Sequence, residues 1–276
     1  MPLRNALTLV FLIAVAATGG CGGKSYVSTS LGKQHHIEPA VNRISESKGS
    51  RNGAASMERD LAETERYLSL GDFAAVKRMT AAILKRQPAS AQAHTYMAVA
   101  LDQTGDSAGA GTHYLRAAEA SPSNGAVLGN YGIWLCEQGR AAEALGWFDR
   151  ALAVPAYAAS PVILANSGMC AGKVGHQQRA ERDLRRAIEL DPENPVALGA
   201  LAERELAAGN AFGARAFSER RLAAAPADPK ALLLASQIEQ KLGDSAAAAR
   251  YVSKLKTEFP DAKEARSSAN GDGGRQ

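Results

Sequence analysis

Six glycines recur along the chain at an almost constant interval. Four of the five steps between them are 34 residues long and one is 36. A proline follows 17 residues after five of the six. The glycines are Gly71, Gly105, Gly139, Gly175, Gly209 and Gly243, and the prolines are Pro88, Pro122, Pro192, Pro226 and Pro260. A fixed period of this length predicts a stack of repeated units with a lateral surface of the kind that usually binds proteins.

Within each period the apolar and small residues follow helical spacing. Units starting at Met57, Ala91, Gly125, Pro161, Pro195 and Pro229 carry such residues at most of positions 4, 7, 8 and 11, and a glycine at position 15. The exceptions are Asp60, Glu63, His94, Glu205 and Glu239. This spacing predicts an amphipathic α-helix, which glycine ends because it tolerates the left-handed conformation. A second stripe predicts a second helix, which the proline stops. The pattern resembles the tetratricopeptide repeat, so we expect an all-α, right-handed solenoid of six helix-turn-helix repeats over residues 57–262.

The amino terminus has the pattern of a secretion signal. Arg4 precedes an apolar run of about a dozen residues, which is too short to cross a bilayer as a helix. Small residues lead into Cys21, an arrangement that resembles the bacterial lipobox, although Thr18 stands where leucine is usual. We therefore expect a lipoprotein signal peptide at residues 1–20, acylation of Cys21 and a flexible linker over residues 21–56. The alternative is an ordinary secretory signal followed by a chance cysteine.

Composition and motifs argue against several classes of function. The formal net charge of +4 is small and no run of Lys and Arg resembles a nucleic-acid patch. No triad, paired carboxylates, zinc ligand set or phosphate loop rises above chance, and His94, His113 and His176 have no ligand set around them. We therefore expect no enzyme activity, metal, cofactor or small-molecule substrate. The polar tail, residues 263–276, is expected to be disordered.

Repeat geometry predicts where a partner would bind. In such solenoids positions 2, 5, 9 and 12 of the first helices face the concave side. In units three to five these positions are mostly apolar or small, whereas units two and six are mostly polar there. The predicted partner-binding groove is Ala126, Gly129, Ile133, Val162, Ala165, Met169, Val196 and Gly199. The alternative interpretation is that curvature is tight and these small residues only pack neighbouring helices.

Cys136 and Cys170 lie at positions 12 and 10 of adjacent first helices. In an oxidising compartment they could form a disulfide that links units three and four. The alternative is a pair of buried thiols acting as small apolar groups.

Two stretches carry a closer resemblance. They are the run from Asn130 to Gly139 with Phe148, Pro155 and Tyr157, and the run from Asn166 to Cys170. Together with the closing Leu255-Lys256 and Phe259-Pro260, they resemble the type IV pilus biogenesis/stability lipoproteins, the PilF/PilW family. The resemblance implies a pilotin, which binds the secretin subunit, carries it to the outer membrane and promotes its multimer assembly. It also favours a disulfide between the two cysteines, because cysteines often occupy the matching positions.

The resemblance thus leads us to expect a non-enzymatic lipoprotein on the periplasmic face of the outer membrane. Its partners would be the secretin subunit and, through Cys21, the membrane lipid. The alternative function is a periplasmic scaffold for enzymes of cell-wall synthesis or hydrolysis.

Overall fold

The computed structural model describes residues 26–28, 34–36 and 51–270, with side chains for residues 55–266. Twelve of its helices form six consecutive helix-turn-helix pairs, as the sequence predicts. The pairs are α1 (Arg51–Ser69) with α2 (Phe73–Arg86), α3 (Ala91–Gln103) with α4 (Ser107–Ala120), α5 (Gly125–Glu137) with α6 (Ala141–Leu152), α7 (Pro161–Lys173) with α8 (Gln177–Leu190), α9 (Pro195–Ala207) with α10 (Ala211–Ala224), and α11 (Pro229–Leu242) with α12 (Ser245–Glu258). We refer to the odd-numbered and even-numbered members of these pairs as first and second helices.

The periodic glycines end the first helices. All six have φ between 71° and 87°, the left-handed region that a Cβ atom disfavours. After α5, for example, the N–H of Arg140 donates to the carbonyl of Leu135 at 2.9 Å, which satisfies a carbonyl of the last turn. The following helix often begins with a side-chain cap, such as Asp72, whose carboxylate accepts from the N–H of Ala75. The sequence therefore specifies the glycine end of every turn and, where a capping side chain is present, the start of the second helix.

The first helices form the inner wall of the solenoid. Each packs against the next first helix as well as against its own partner, whereas successive second helices of the described chain make no contact of similar extent. Small residues permit the close approach: a Cβ atom on Gly168 would lie 2.7 Å from Cγ of Leu184, the facing residue of α8. The first helices therefore line a concave face, and the second helices face outward.

One connection is longer than the others. Between α6 and α7 the chain forms a 3-10 helix, Pro155–Tyr157, in the loop that the two additional residues of unit three predict. The ring of Tyr157 lies over Gly125, where a Cβ atom would be 2.5 Å from its Cγ. The loop therefore packs on the first turn of α5.

At both ends of the solenoid the structure differs from the sequence-based prediction. Strands β1 (Tyr26–Ser28) and β2 (Gln34–His36) pair antiparallel within the predicted linker, and α1 begins at Arg51, before Met57. The predicted tail begins with helix α13 (Lys263–Asn270), so the expectation of disorder is wrong for this segment. Ala265 is buried against Leu232 and Leu255 because α13 covers the apolar end of the last repeat.

The membrane-related predictions concern residues that the structure does not describe. The predicted signal peptide and Cys21 both lie outside the described ranges. No helix in the described part of the chain has the length and apolar character that a membrane span requires.

Candidate partner-binding groove

The structure buries half of the residues predicted to line the groove. Ala126, Gly129, Val162 and Ala165 are all buried. A Cβ atom on Gly129 would lie only 3.1 Å from Cγ1 of Ile163, so α5 and α7 leave no room for a partner side chain there. Contact with a partner stays a prediction for these four residues. Their burial favours the alternative that the sequence left open, in which they only pack neighbouring helices.

Three apolar side chains of the predicted groove keep an accessible surface. Ile133 of α5, Met169 of α7 and Val196 of α9 are half-buried, as is Gly199. Ile133 and Met169 border the largest buried cluster, and Met169 and Val196 border the next one. We call Ile133, Met169 and Val196 the apolar strip. The strip has one accessible apolar side chain on each of three consecutive first helices, and exposed apolar surface of this kind marks protein interfaces.

A disulfide holds two helices of this wall together. It joins Cys136 in α5 to Cys170 in α7, with Cα atoms 6.0 Å apart, and both residues are buried. Both cysteines are close to the apolar strip along the chain. Met169 immediately precedes Cys170, and Ile133 lies one helical turn before Cys136. The bond therefore fixes the distance between two helices that carry the apolar strip.

Charged side chains lie on the same wall towards its carboxyl-terminal half. Lys173 of α7, Glu203 of α9 and Lys230 of α11 are exposed. Desolvation nevertheless lowers the pKa of Lys173, which the nearby Lys230 lowers further, and desolvation raises the pKa of Glu203. Both shifts reflect a partial loss of hydration at side chains that still reach solvent.

Two histidines that the sequence did not connect are in contact. Nδ1 of His94 in α3 lies 2.8 Å from Nδ1 of His113 in α4, and Nε2 of His94 lies 2.9 Å from the carbonyl oxygen of Pro88. The carbonyl can only accept, so neutral His94 donates through Nε2 and accepts from His113 through Nδ1. Burial lowers the pKa of both rings. Both histidines belong to the unit that starts at Ala91, one on each helix of its hairpin. This shared unit is the sequence signal that could have revealed their contact.

A buried ion network joins units three and four. Asp183 of α8 is 3% exposed and accepts from the hydroxyl of Ser167 at 2.8 Å and from Nε of Arg179 at 3.3 Å. Nη2 of the same arginine donates to Asp149 of α6 at 2.7 Å. The network lies between helices rather than in the groove, which indicates a structural role. Within the described residues no group of three His, Cys, Asp or Glu side chains could hold a metal ion.

Sequence profiles of the tetratricopeptide repeat match residues 61–125 and 162–194. No curated protein matches the chain in sequence. Among solved structures, PilW, a widely conserved type IV pilus biogenesis factor, is 25% identical with a TM-score of 0.66, over 78% of this chain and 98% of PilW. Pseudomonas aeruginosa PilF is 22% identical with a TM-score of 0.65, over 80% of this chain and 99% of PilF.

The general solenoid is widespread. Cut9 in its complex with Hcn1 matches 77% of this chain and 45% of its own at a TM-score of 0.66 and 13% identity, which reflects the fold alone. The structural match covers almost the whole length of PilW and PilF but less than half of Cut9. The chain is therefore built of tetratricopeptide repeats, and its six-repeat solenoid is similar to those of the type IV pilus biogenesis factors PilW and PilF.

Proposed function

We propose that this chain is a pilotin, a non-enzymatic lipoprotein that binds the type IV pilus secretin subunit at the outer membrane and promotes its assembly. The observation that carries the proposal is the accessible apolar strip on the inner wall of a solenoid that matches PilW over nearly the full length of PilW. The groove shields an apolar segment of the unassembled subunit, and the lipid holds the complex at the membrane.

The strip suits capture of an apolar segment. Its three residues lie on consecutive first helices, and the disulfide between Cys136 and Cys170 keeps two of those helices at a fixed spacing. A preorganised surface loses less conformational entropy on binding than a mobile one. The rim of the same wall is polar at Lys173 and Glu203, which matches the usual arrangement of an apolar centre and a polar rim.

Two features support an envelope location. Disulfides persist in oxidising compartments such as the bacterial periplasm, and the sequence before Cys21 resembles a lipobox. Acyl chains on Cys21 would attach the chain stably to the outer membrane. Replacement of Cys21 by serine is expected to move the protein from the outer-membrane fraction to the soluble periplasmic fraction. Retention of Cys21→Ser in the outer-membrane fraction would contradict lipid anchoring.

Capture of the secretin subunit tests the function directly. The purified full chain is mixed with unassembled secretin subunit, and the complex is measured by co-purification. The double variant Ile133→Glu/Met169→Glu places two charges in the apolar strip, so we expect capture to fall at least tenfold, because an unpaired charge is costly to bury in an interface. Circular dichroism checks that its helical content is unchanged.

A matched control uses the exposed apolar residues outside the strip. Leu70 and Phe212 are 67% and 75% exposed and lie at or beside the turns between first and second helices. The variant Leu70→Glu/Phe212→Glu should capture the secretin as the unaltered chain does. Equal capture by both double variants would refute the groove. Capture of a peptidoglycan synthase or hydrolase from envelope extract in place of the secretin would favour the scaffold function.

A further inference from the structure

Charge is unevenly divided between the two sets of helices. The second helices carry twice as many Lys and Arg residues as Asp and Glu residues, whereas the first helices carry slightly more acidic than basic residues. Because the second helices face outward, the excess of positive charge lies on the convex side of the solenoid. The small formal net charge of the chain therefore conceals a basic outer surface.

Uncompensated positive charge lies on the outer sides of the last two repeats. On α10 and α12 the side chains of Arg220, Arg250 and Lys256 are exposed, and none of the three forms an ion pair within the described residues. Arg220 donates instead to the carbonyl of Pro192 at 2.9 Å, which leaves its charge without an acidic partner. We call Arg220, Arg250 and Lys256 the basic face.

The exposed charges of α8 are balanced more closely. Arg185 pairs with Glu181 at 2.6 Å, and Arg186 pairs with Glu189 at 2.9 Å. An arginine whose charge is matched by a neighbouring carboxylate contributes little to the attraction of a distant anion. The free positive charge of this half of the solenoid is therefore that of α10 and α12.

The cleft between α10 and α12 does not explain the basic face as a site for a small anion. Three basic side chains line it, but so do the carboxylates of Glu219, Glu239 and Asp244. Arg215 at its wall is already engaged, since its Nε donates to Glu239 at 2.9 Å. A cleft of mixed charge does not select an anion, whereas the exposed cations around it attract an extended anionic surface.

We propose that the basic face binds the anionic phospholipid headgroups of a membrane surface. Lys and Arg side chains near anionic lipid each strengthen binding roughly fivefold, and they need no defined pocket to do so. Only neighbouring helices of a convex wall can meet a flat surface together, and α10 and α12 are neighbouring second helices. Acylation of Cys21 belongs to the proposed function and would keep this face close to lipid; the charge interaction itself does not depend on it.

Contact through the basic face orients the solenoid. The first helices line the opposite, concave side, so the apolar strip on α5, α7 and α9 points away from the lipid. A partner that arrives from the aqueous side then reaches the strip without displacing the solenoid from the membrane. The basic face thus sets the orientation of the chain, and the strip remains free for capture.

Sedimentation with lipid vesicles provides the test. The chain with Cys21→Ser, which lacks the predicted acylation site, is mixed with vesicles of phosphatidylethanolamine and phosphatidylglycerol, or with vesicles of phosphatidylcholine alone. We expect the chain to sediment with the anionic vesicles and not with the zwitterionic ones, and its binding to weaken as salt rises, because salt screens exposed charges.

Two triple variants of that chain locate the surface. Arg220→Gln/Arg250→Gln/Lys256→Gln removes the basic face and should weaken binding to the anionic vesicles at least tenfold. The control Lys173→Gln/Lys230→Gln/Lys241→Gln removes the same number of charges from exposed positions of the first helices α7 and α11. It should bind almost as the parent chain does. Circular dichroism and Tm check that both variants fold as the parent does.

The outcomes separate this inference from the proposed function. Equal weakening by the two triple variants would show that only net charge matters and would overturn the basic face. Absence of binding to the anionic vesicles at low salt, or equal binding to phosphatidylcholine, would overturn the lipid contact and leave an acidic protein as the partner to seek. Either result leaves secretin capture by the strip untouched. Conversely, anionic vesicles bound through the basic face by a chain that does not capture the secretin would uphold the inference and overturn the proposed partner.

Discussion

Cys136 and Cys170 join α5 to α7 directly beneath the apolar strip, with Cα atoms 6.0 Å apart. The cross-link spans 34 residues of sequence, and a closed loop of that size restricts the unfolded chain substantially. We expect Cys136→Ala/Cys170→Ala to lower the free energy of unfolding by about 2 to 4 kcal/mol. Thermal unfolding with and without reductant measures the effect. Reductant should lower the Tm of the unaltered chain and leave that of the variant in place; an equal response of both would contradict the bond's role.

The His94–His113 contact predicts a loss of stability at mildly acidic pH. Burial lowers the pKa of both imidazoles in the folded state, and Arg116 lowers both further, while Asp106 raises that of His113. Below the unfolded pKa of about 6.5 the unfolded chain therefore binds more protons than the folded chain. Stability is complete above that value and falls as the pH drops towards the folded-state pKa values.

Melting curves between pH 7.5 and pH 5 measure this dependence. We expect Tm to fall across the interval, because protonation of either ring is less favourable in the folded chain than in the unfolded chain. The variant His94→Gln/His113→Gln should lose this component of the pH dependence. The control His176→Gln alters an exposed ring and should keep it. An unaltered chain with a flat profile would contradict the prediction.

The network around Asp183 predicts a large effect of one substitution on α8. Asp183→Ala removes the acceptor for Ser167 and one acceptor of Arg179, so a buried hydroxyl and a largely buried guanidinium lose partners. We expect a loss of about 2 to 4 kcal/mol in the free energy of unfolding. Glu189→Ala on the same helix removes only an exposed pair with Arg186 and should cost less than about 1 kcal/mol. Urea unfolding of both variants checks this, and similar losses would contradict it.

Much of the fold could be predicted because its determinants are local and periodic. Glycines such as Gly139 specify the turn by their backbone conformation alone, and the repeat number follows from counting them. The polar tail was misjudged because α13 depends on a surface outside its own sequence, the uncovered apolar end formed by Leu232 and Leu255. The composition of the tail alone does not indicate that such a surface is present.

The sequence predicts which residues share a face of a first helix but not which of them stay accessible. Helical spacing places Ala126 and Ile133 on the same face of α5, yet only Ile133 stays accessible. The difference arises from the distance between α5 and α7, which depends on the residues of both helices, Gly129 and Ile163 among them. Likewise, the contact between His94 and His113 depends on how α3 packs against α4. The spacing of residues along a single helix does not predict it.

Substitution of two glycines by alanine distinguishes the effect of close helix packing on stability from the effect of helix propensity. Gly168 of α7 faces α8, where a Cβ atom would lie 2.7 Å from Cγ of Leu184 and 3.0 Å from the backbone oxygen of Ala180. Gly168→Ala should therefore lower the free energy of unfolding by about 2 kcal/mol, because backbone cannot move aside without separating the helices. Gly146 of α6 is exposed and nothing lies within 4 Å of a Cβ atom there. Gly146→Ala should raise stability by about 0.5 to 1 kcal/mol through helix propensity alone. Denaturant unfolding distinguishes the two, and a stabilising Gly168→Ala would mean that the helices of unit four are not held as closely as described.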